Sequence, residues 1–220
     1  MTEAKEPFVF SSRLSLAELT GLKAANLEQL LEHLREVPGS SIFHHTHRLL
    51  QQHLHLSPEP PNDFAYWTSN SLGDARLGEA LASIDIVGFA SIRALREAII
   101  QTIDNHLKTD PQARQRFVPE NQVFHFIKCV SFVFPTGKSA RNLREMADIL
   151  STVSIDSIYF HMFESRLRLE RGDNDFSRWI SQSVGDEALS KKISRLDPYT
   201  CTSESLRGTL VRLIEHKLAQ

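Results

Sequence analysis

Apolar residues recur every three or four positions along most of the chain, the spacing of one face of an α-helix. The first such stretch carries Leu27, Leu30 and Leu34 and ends at Pro38-Gly39. Further stretches with this spacing begin close to side chains that commonly cap helices, namely Ser41, Asn62-Asp63, Asp74 and Ser91. The pattern predicts roughly five helices before residue 108. A short apolar segment precedes them.

The same pattern of residues occurs twice in the chain. Residue n placed over residue n+116 matches from Phe8 to His45 without a gap, and beyond residue 61 the offset is 112. The pairs include Thr20-Gly21 with Thr136-Gly137, His45 with His161, and Asn62-Asp63-Phe64-x-x-Trp67 with Asn174-Asp175-Phe176-x-x-Trp179. We therefore predict a tandem duplication, with repeat 1 over residues 1–107, a polar linker over 108–121 and repeat 2 over 122–220.

The predicted fold is all-α or nearly so, with two pseudo-symmetric modules of about five helices each. Each Thr-Gly pair is interpreted as the start of the first helix of its copy. The segment FHFIKCVSFVF of the second copy alternates well enough to be a strand, so a short extended segment opens each module.

The run H…NDFxxW…GDxxL resembles a small helical module of bacterial and archaeal proteins. The doubled form, with FHF…SFVFPTG and SIYFHMFESRLRL in the second copy, resembles a bacterial family known only as a domain of unknown function. The resemblance implies a helical, repeated fold. It brings no activity, cofactor or catalytic residue.

Charge and composition exclude several classes of protein. The formal net charge of −2 argues against a nucleic-acid binder, which needs a basic face. No run of 18 apolar residues is present, so we expect no membrane span, and the N-terminus lacks the apolar core of a signal peptide. Two cysteines are too few for a disulfide framework, and a cytoplasmic location is expected.

His45 and His161 are the leading site candidates because both copies keep them on an apolar helix face. Asp63 and Asp175 follow at similar separations, so each histidine has a carboxylate available. One interpretation is structural, with a buried imidazole bonded to the carboxylate at the start of the next helix. The other is a site for a ligand or partner in a crevice between the repeats, to which the differing pair Arg48 and Glu164 would contribute.

A divalent metal is the alternative at this place. Its ligands would come from His45, His47, His161 and Glu164, with the two aspartates in reach. The histidine cluster around His44 and His47 belongs to copy one only, and no CxxC or HExxH spacing strengthens a zinc prediction.

Other motifs have simpler explanations. The Phe and Trp of NDFxxW are expected in the core, because aromatic pairs bury large areas. PTGKS lacks the earlier glycine of a phosphate loop, since position 132 is Phe. No GxSxG elbow occurs, and Cys129 is treated as a small buried apolar residue.

Two functional hypotheses remain open. The first is a non-catalytic cytosolic interaction or regulatory protein that receives a protein or small molecule between its repeats, with no cofactor. The second is a metal-dependent enzyme built on the histidines and carboxylates named above.

Overall fold

The computed structural model describes residues 3–52, 62–86, 88–165, 173–196 and 202–219. The first half contains β1 (Phe8–Ala24), α1 (Leu27–Glu36), α2 (Gly39–Gln52), α3 (Asp63–Asn70), α4 (Ala75–Ala82) and α5 (Ile92–Thr109). Two 3₁₀ turns, Pro111–Gln115 and Glu120–Gln122, lead to β2 (Phe124–Ala140). The second half continues with α6 (Leu143–Thr152), α7 (Ile155–Tyr159), α8 (Asp175–Trp179), α9 (Glu187–Ser194) and α10 (Ser203–Leu218). Helices α7 and α8 each run on into a π-helical turn, Phe160–Glu164 and Ile180–Val184.

The all-α prediction is wrong, because β1 and β2 are strands of 17 residues each and pair into a two-stranded sheet. The strands are antiparallel, since Thr20 of β1 bonds Phe126 near the start of β2, whereas Thr136 near the end of β2 bonds Phe10. The expected short opening segments are therefore the first residues of two long strands. The fold is mixed α/β.

Each Thr-Gly pair lies inside a strand and does not begin a helix. Gly21 and Gly137 have φ values of 83° and 75°, a left-handed conformation that favours glycine. The hydroxyl of Thr20 donates to the Phe126 carbonyl and accepts from the backbone N–H of Leu22. The threonine thus provides local hydrogen bonds where the strand backbone departs from regular geometry.

The predicted helix caps are largely confirmed. Asn62 and Asn174 cap α3 and α8, and Asp74 and Asp186 cap α4 and α9, each by accepting from a backbone N–H of the first turn. Two residues separate the end of β1 from α1, and the second of them, Asn26, caps the helix. The helices therefore start where short polar side chains satisfy otherwise unpaired N–H groups.

The described chain forms two compact units. The terminal unit contains Met1–Leu14 and Ser131–Gln220, and the central unit contains Ser15–Gln52 and Ser57–Val130. Each unit therefore includes one half of each strand. The first residues of β1 belong with the helices that follow β2, whereas the first residues of β2 belong with the helices that follow β1.

Each unit has its own aromatic core around the NDFxxW motif. In the central unit the ring of Phe124 packs on those of Phe64 and Trp67, with centroids 5.2 and 5.8 Å away. In the terminal unit Phe8 packs on Phe176 and Trp179 at 5.1 and 5.9 Å. The expectation that the motif aromatics are core residues is confirmed by their burial. Among the described helices, none is both long and apolar enough to cross a membrane.

Candidate functional site

His45 lies on α2 and uses both ring nitrogens in hydrogen bonds within the central unit. Its Nδ1 lies 2.8 Å from Oδ2 of Asp63, the first residue of α3. Its Nε2 accepts from the backbone N–H of Ile127 on β2 at 2.9 Å. The predicted histidine–aspartate contact is therefore present, and the imidazole also holds a strand.

His161 makes the same contacts in the terminal unit. Its Nδ1 lies 2.8 Å from Oδ2 of Asp175, and its Nε2 accepts from the backbone N–H of Ser11 at 2.8 Å. The ring is buried and contacts Phe8 at a centroid distance of 4.9 Å.

A serine one helical turn before each histidine completes the arrangement. Ser41 donates to the carbonyl of Ile127 at 2.8 Å, and Ser157 donates to the carbonyl of Ser11 at 2.6 Å. The N–H and the C=O of Ile127, and likewise those of Ser11, are thus both bonded by side chains. In a regular sheet, a neighbouring strand would make these two bonds. We call Ser41–His45–Asp63 and Ser157–His161–Asp175 the strand-edge triads, because each replaces that missing strand. Sequence reasoning treated Ser41 only as a cap candidate, whereas it lies inside α2, and the Ser-x-x-x-His spacing that recurs at Ser157 and His161 marked both serines.

The hydrogen bonds determine the tautomer of each histidine. A backbone N–H can only donate, so Nε2 of His45 must carry a lone pair, and the proton of the neutral ring lies on Nδ1, toward Asp63. In a catalytic Ser-His-Asp triad, Nε2 would instead accept from the serine hydroxyl. Here that hydroxyl donates to a main-chain carbonyl. The triads have the residue types of a hydrolase but the bonding of a structural support.

The same bonding disfavours the metal alternative at these histidines. His44, His45 and Asp63 do place ligand atoms within 4.8 Å of one another. A metal on Nδ1 of His45 would displace the Asp63 bond, and a metal on Nε2 would displace the Ile127 N–H. A metal on Nε2 would leave the part-buried Ile127 N–H without its acceptor, and a metal on Nδ1 would need Asp63 as a fellow ligand in place of the present hydrogen bond.

His44 faces Cys129 of β2, with Nδ1 3.2 Å from Sγ. Burial, together with the neighbouring His45 and Arg48, lowers the pKa of His44 to about 4, while Asp63 opposes this shift. The imidazole is therefore neutral at physiological pH. Cys129 is buried, as expected for a small apolar residue.

The predicted site residues divide between the two units. His47 is buried, bonds Thr46 at 2.8 Å and stacks on Phe43. Arg48 is half-buried. Glu164 forms a buried ion pair with Arg13 of β1 at 2.7 Å. His45, His47, Arg48 and Asp63 belong to the central unit, whereas His161, Glu164 and Asp175 belong to the terminal unit.

A second polar contact recurs at the last helix of each unit. The cap residue Asp74 bonds Nε2 of His106 on α5 at 2.8 Å, and the cap residue Asp186 pairs with Nζ of Lys217 on α10 at 2.9 Å. Burial raises the pKa of Asp186, but bonds from the Leu189 N–H and Lys217 outweigh burial and hold it below its ordinary value. Asp110 completes a group with Asp74 and His106 that could hold a metal, but Arg116 already lies 3.6 Å from Asp74. These contacts therefore join the ends of two helices.

The sheet of the terminal unit exposes apolar side chains. Leu14, Phe132, Val133 and Phe134 are each about half exposed, at 54%, 53%, 56% and 47%. Leu14 and Phe134 line a groove of about 460 Å³ that also contains Ser12, Lys138 and Ser154. Exposed apolar groups gathered in this way are typical of interaction surfaces.

Comparison with known proteins gives a family and one solved structure. No curated protein matches the chain. The structure of OrfY from Thermoproteus tenax is similar, with a TM-score of 0.82 and 31% sequence identity over 98% of this chain and 97% of that one. A family model matches residues 5–215, and the chain therefore belongs to DUF5752, a family of unknown function.

Proposed function

We propose that the protein is a non-catalytic interaction module whose partner is another protein. The observation that carries this proposal is the exposure of Leu14 and of residues 132–134 on the sheet of the terminal unit. Consecutive strand residues point to opposite faces, so apolar groups are exposed on both faces of β2 at this point. Burying such groups against a partner would provide the main favourable term in association.

The candidate polar residues support the same proposal. The serine, histidine and aspartate of each triad are bonded to the main chain or to one another. A reaction at either histidine would require these structural bonds to break first. Their arrangement favours a framework role over catalysis.

The proposal includes a tandem origin for the two halves. It is supported by the element bounds, since β2, α6 and α7 begin 116 residues after β1, α1 and α2, and α8 and α9 begin 112 residues after α3 and α4. The triads recur at the same offsets. A duplicated framework would free one copy to specialise its surface.

A site-specific crosslinker tests the proposed function. We would place the photoreactive residue p-benzoylphenylalanine at Val133 and irradiate living cells of the source organism. A discrete protein adduct is expected from position 133, and no such adduct from Arg144, which is exposed on α6. Absence of an adduct at 133, with the variant expressed and folded, would contradict the proposal.

Metal analysis tests the enzyme alternative directly. Protein purified without a histidine tag is expected to contain less than stoichiometric zinc, iron or manganese. Stoichiometric metal that disappears in His44→Phe, a variant that leaves both triads intact, would overturn the non-catalytic proposal.

A further inference from the structure

The groove of the terminal unit differs from the corresponding surface of the central unit. Ser12 and Phe134 line the groove. The residues 116 positions away are Lys128 and Glu18, which form an ion pair at 3.0 Å. The ion pair occupies the surface of the central unit where the terminal unit has an open groove beside an exposed aromatic ring.

The walls of the groove combine apolar and hydrogen-bonding groups. Leu14 and Phe134 provide apolar surface, and hydroxyl groups of Ser12, Ser154 and Thr152 line it as well. A volume of about 460 Å³ accommodates one or two side chains. Hydroxyl groups among apolar side chains suit a peptide, whose backbone needs donors and acceptors, better than a hydrocarbon chain.

Lys138 adds a positive charge to the groove. Its ammonium donates to the hydroxyl of Thr152 at 3.0 Å, and among the described residues no carboxylate pairs with it. Arg13 also lines the groove, but Glu164 pairs with it. Asp156 lines the groove from α7 and already takes part in another interaction. Of the two described cations that line the groove, Lys138 is therefore the one open to a ligand. Its counterpart in the central unit, 116 positions earlier, is the uncharged Leu22.

We propose that this groove binds an extended segment of a partner protein in which a bulky apolar side chain is followed closely by a carboxylate. The apolar side chain lies against Leu14 and Phe134, and the carboxylate pairs with Lys138. This inference rests on the proposed function and names its partner chemistry.

An array of immobilised seven-residue peptides provides the probe. Each peptide carries a central Leu, Phe or Ala flanked by acidic, neutral or basic residues, and bound protein is detected by an antibody. Peptides with Leu or Phe beside Asp or Glu are expected to bind best. Selection of basic peptides, or equal binding of the alanine series, would overturn the proposal.

Two variants exchange groove residues for those of the other half of the chain. The double variant Ser12→Lys with Phe134→Glu introduces the residue types of the Lys128–Glu18 ion pair at the matching positions of the terminal unit. It is expected to abolish binding of every selected peptide. Lys138→Leu is expected to weaken the binding of acidic peptides about tenfold, to the level of neutral peptides, which corresponds to about 1.4 kcal/mol. The control variant Leu19→Ser, at an exposed residue of the central unit, should change neither the binding of the selected peptides nor the preference for acidic ones.

The melting temperature of each variant confirms that it is folded, and unchanged peptide binding by the folded double variant would exclude the groove. The crosslinking experiment separates the two proposals. An adduct at Val133 that survives Ser12→Lys with Phe134→Glu would leave the interaction function standing and refute the groove as its site.

Discussion

The backbone N–H of Ser11 donates to Nε2 of His161, a residue 150 positions later in the chain, at 2.8 Å. Ser157, on the same helical face as His161, donates to the Ser11 carbonyl. Two side chains one turn apart thus satisfy both main-chain groups at one edge position of β1. A free strand edge is otherwise open to pairing with other chains.

Loss of the histidine should destabilise the protein. We expect His161→Phe to lower the free energy of unfolding by about 2–4 kcal/mol, because the Ser11 N–H and Asp175 both lose a buried partner. Urea denaturation measures the change. His125→Ala, at an exposed position of β2, serves as control and should alter stability by less than about 0.5 kcal/mol.

The serine and histidine of a triad should act as a coupled pair. Ser157→Ala alone is expected to cost about 1–3 kcal/mol, since it leaves the Ser11 carbonyl without its donor. In a double-mutant cycle with His161→Phe, we expect the two effects to sum to more than the loss in the double variant, by at least about 0.5 kcal/mol. Additive effects would show that the two side chains support the strand independently.

His44 should make the protein sensitive to mild acid. Unfolded His44 takes up a proton near pH 6.5, whereas burial keeps the pKa in the folded protein at about 4. Between these values the unfolded state binds more protons, so the contribution of neutral His44 is complete above pH 6.5 and is lost as the pH falls to about 4. The loss amounts to at most about 3 kcal/mol.

The residue 116 positions after His44 is Phe160, which makes His44→Phe the matched variant. Its free energy of unfolding should fall less than that of the wild type between pH 7 and pH 4.5, as measured by urea denaturation at each pH. Parallel pH profiles for the two proteins would contradict the assignment of this sensitivity to His44.

The ion pair between Arg13 and Glu164 should matter most when it is broken on one side. Both side chains are buried, so Glu164→Leu is expected to cost about 3–5 kcal/mol by leaving a buried guanidinium without this carboxylate. Arg13→Met combined with Glu164→Leu should recover most of that loss. If the double variant is no more stable than Glu164→Leu, the pair is not the cause of the destabilisation.

The strand glycines provide a test of backbone strain. Gly137 has a φ of 75° and open space where a side chain would project, so Gly137→Ala should cost about 1–2 kcal/mol through the backbone alone. Gly208 lies in α10, also with open space, and Gly208→Ala should stabilise by about 0.5–1 kcal/mol. Thermal denaturation of the two variants should therefore shift the melting temperature in opposite directions.

Local sequence signals predicted the helices well. Apolar spacing and caps such as Asn62 and Asp74 act within a few residues, and the structure places α3 and α4 where these signals are found. The contact between His45 and Asp63 was also predictable, because His45 lies on the apolar face of α2 and Asp63 begins the next helix along the chain.

The full length of the strands and their pairing were missed because their stabilising contacts are distant in sequence. Residues 14–19 contain leucines that the structure leaves exposed, so no clear apolar alternation marks β1 as a strand. The pairing partner of β1 is β2, which lies more than a hundred residues later, as in the bond from Thr20 to Phe126. For the same reason, the sequence did not predict which strand positions the triads bind. Ile127 and Ser11 contribute main-chain atoms, which no side-chain pattern reveals.

The long-range attachment of β1 has a consequence for synthesis on the ribosome. The first residues of the strand emerge early, but Ser157 and His161, which hold the Ser11 backbone, are translated about 150 residues afterwards. At typical elongation rates of about 5–20 residues per second, the first residues of β1 remain without these partners for about 8 to 30 seconds. We expect that interval to be a period in which chaperones have access to the strand, and that truncated nascent chains ending before residue 157 cannot anchor it.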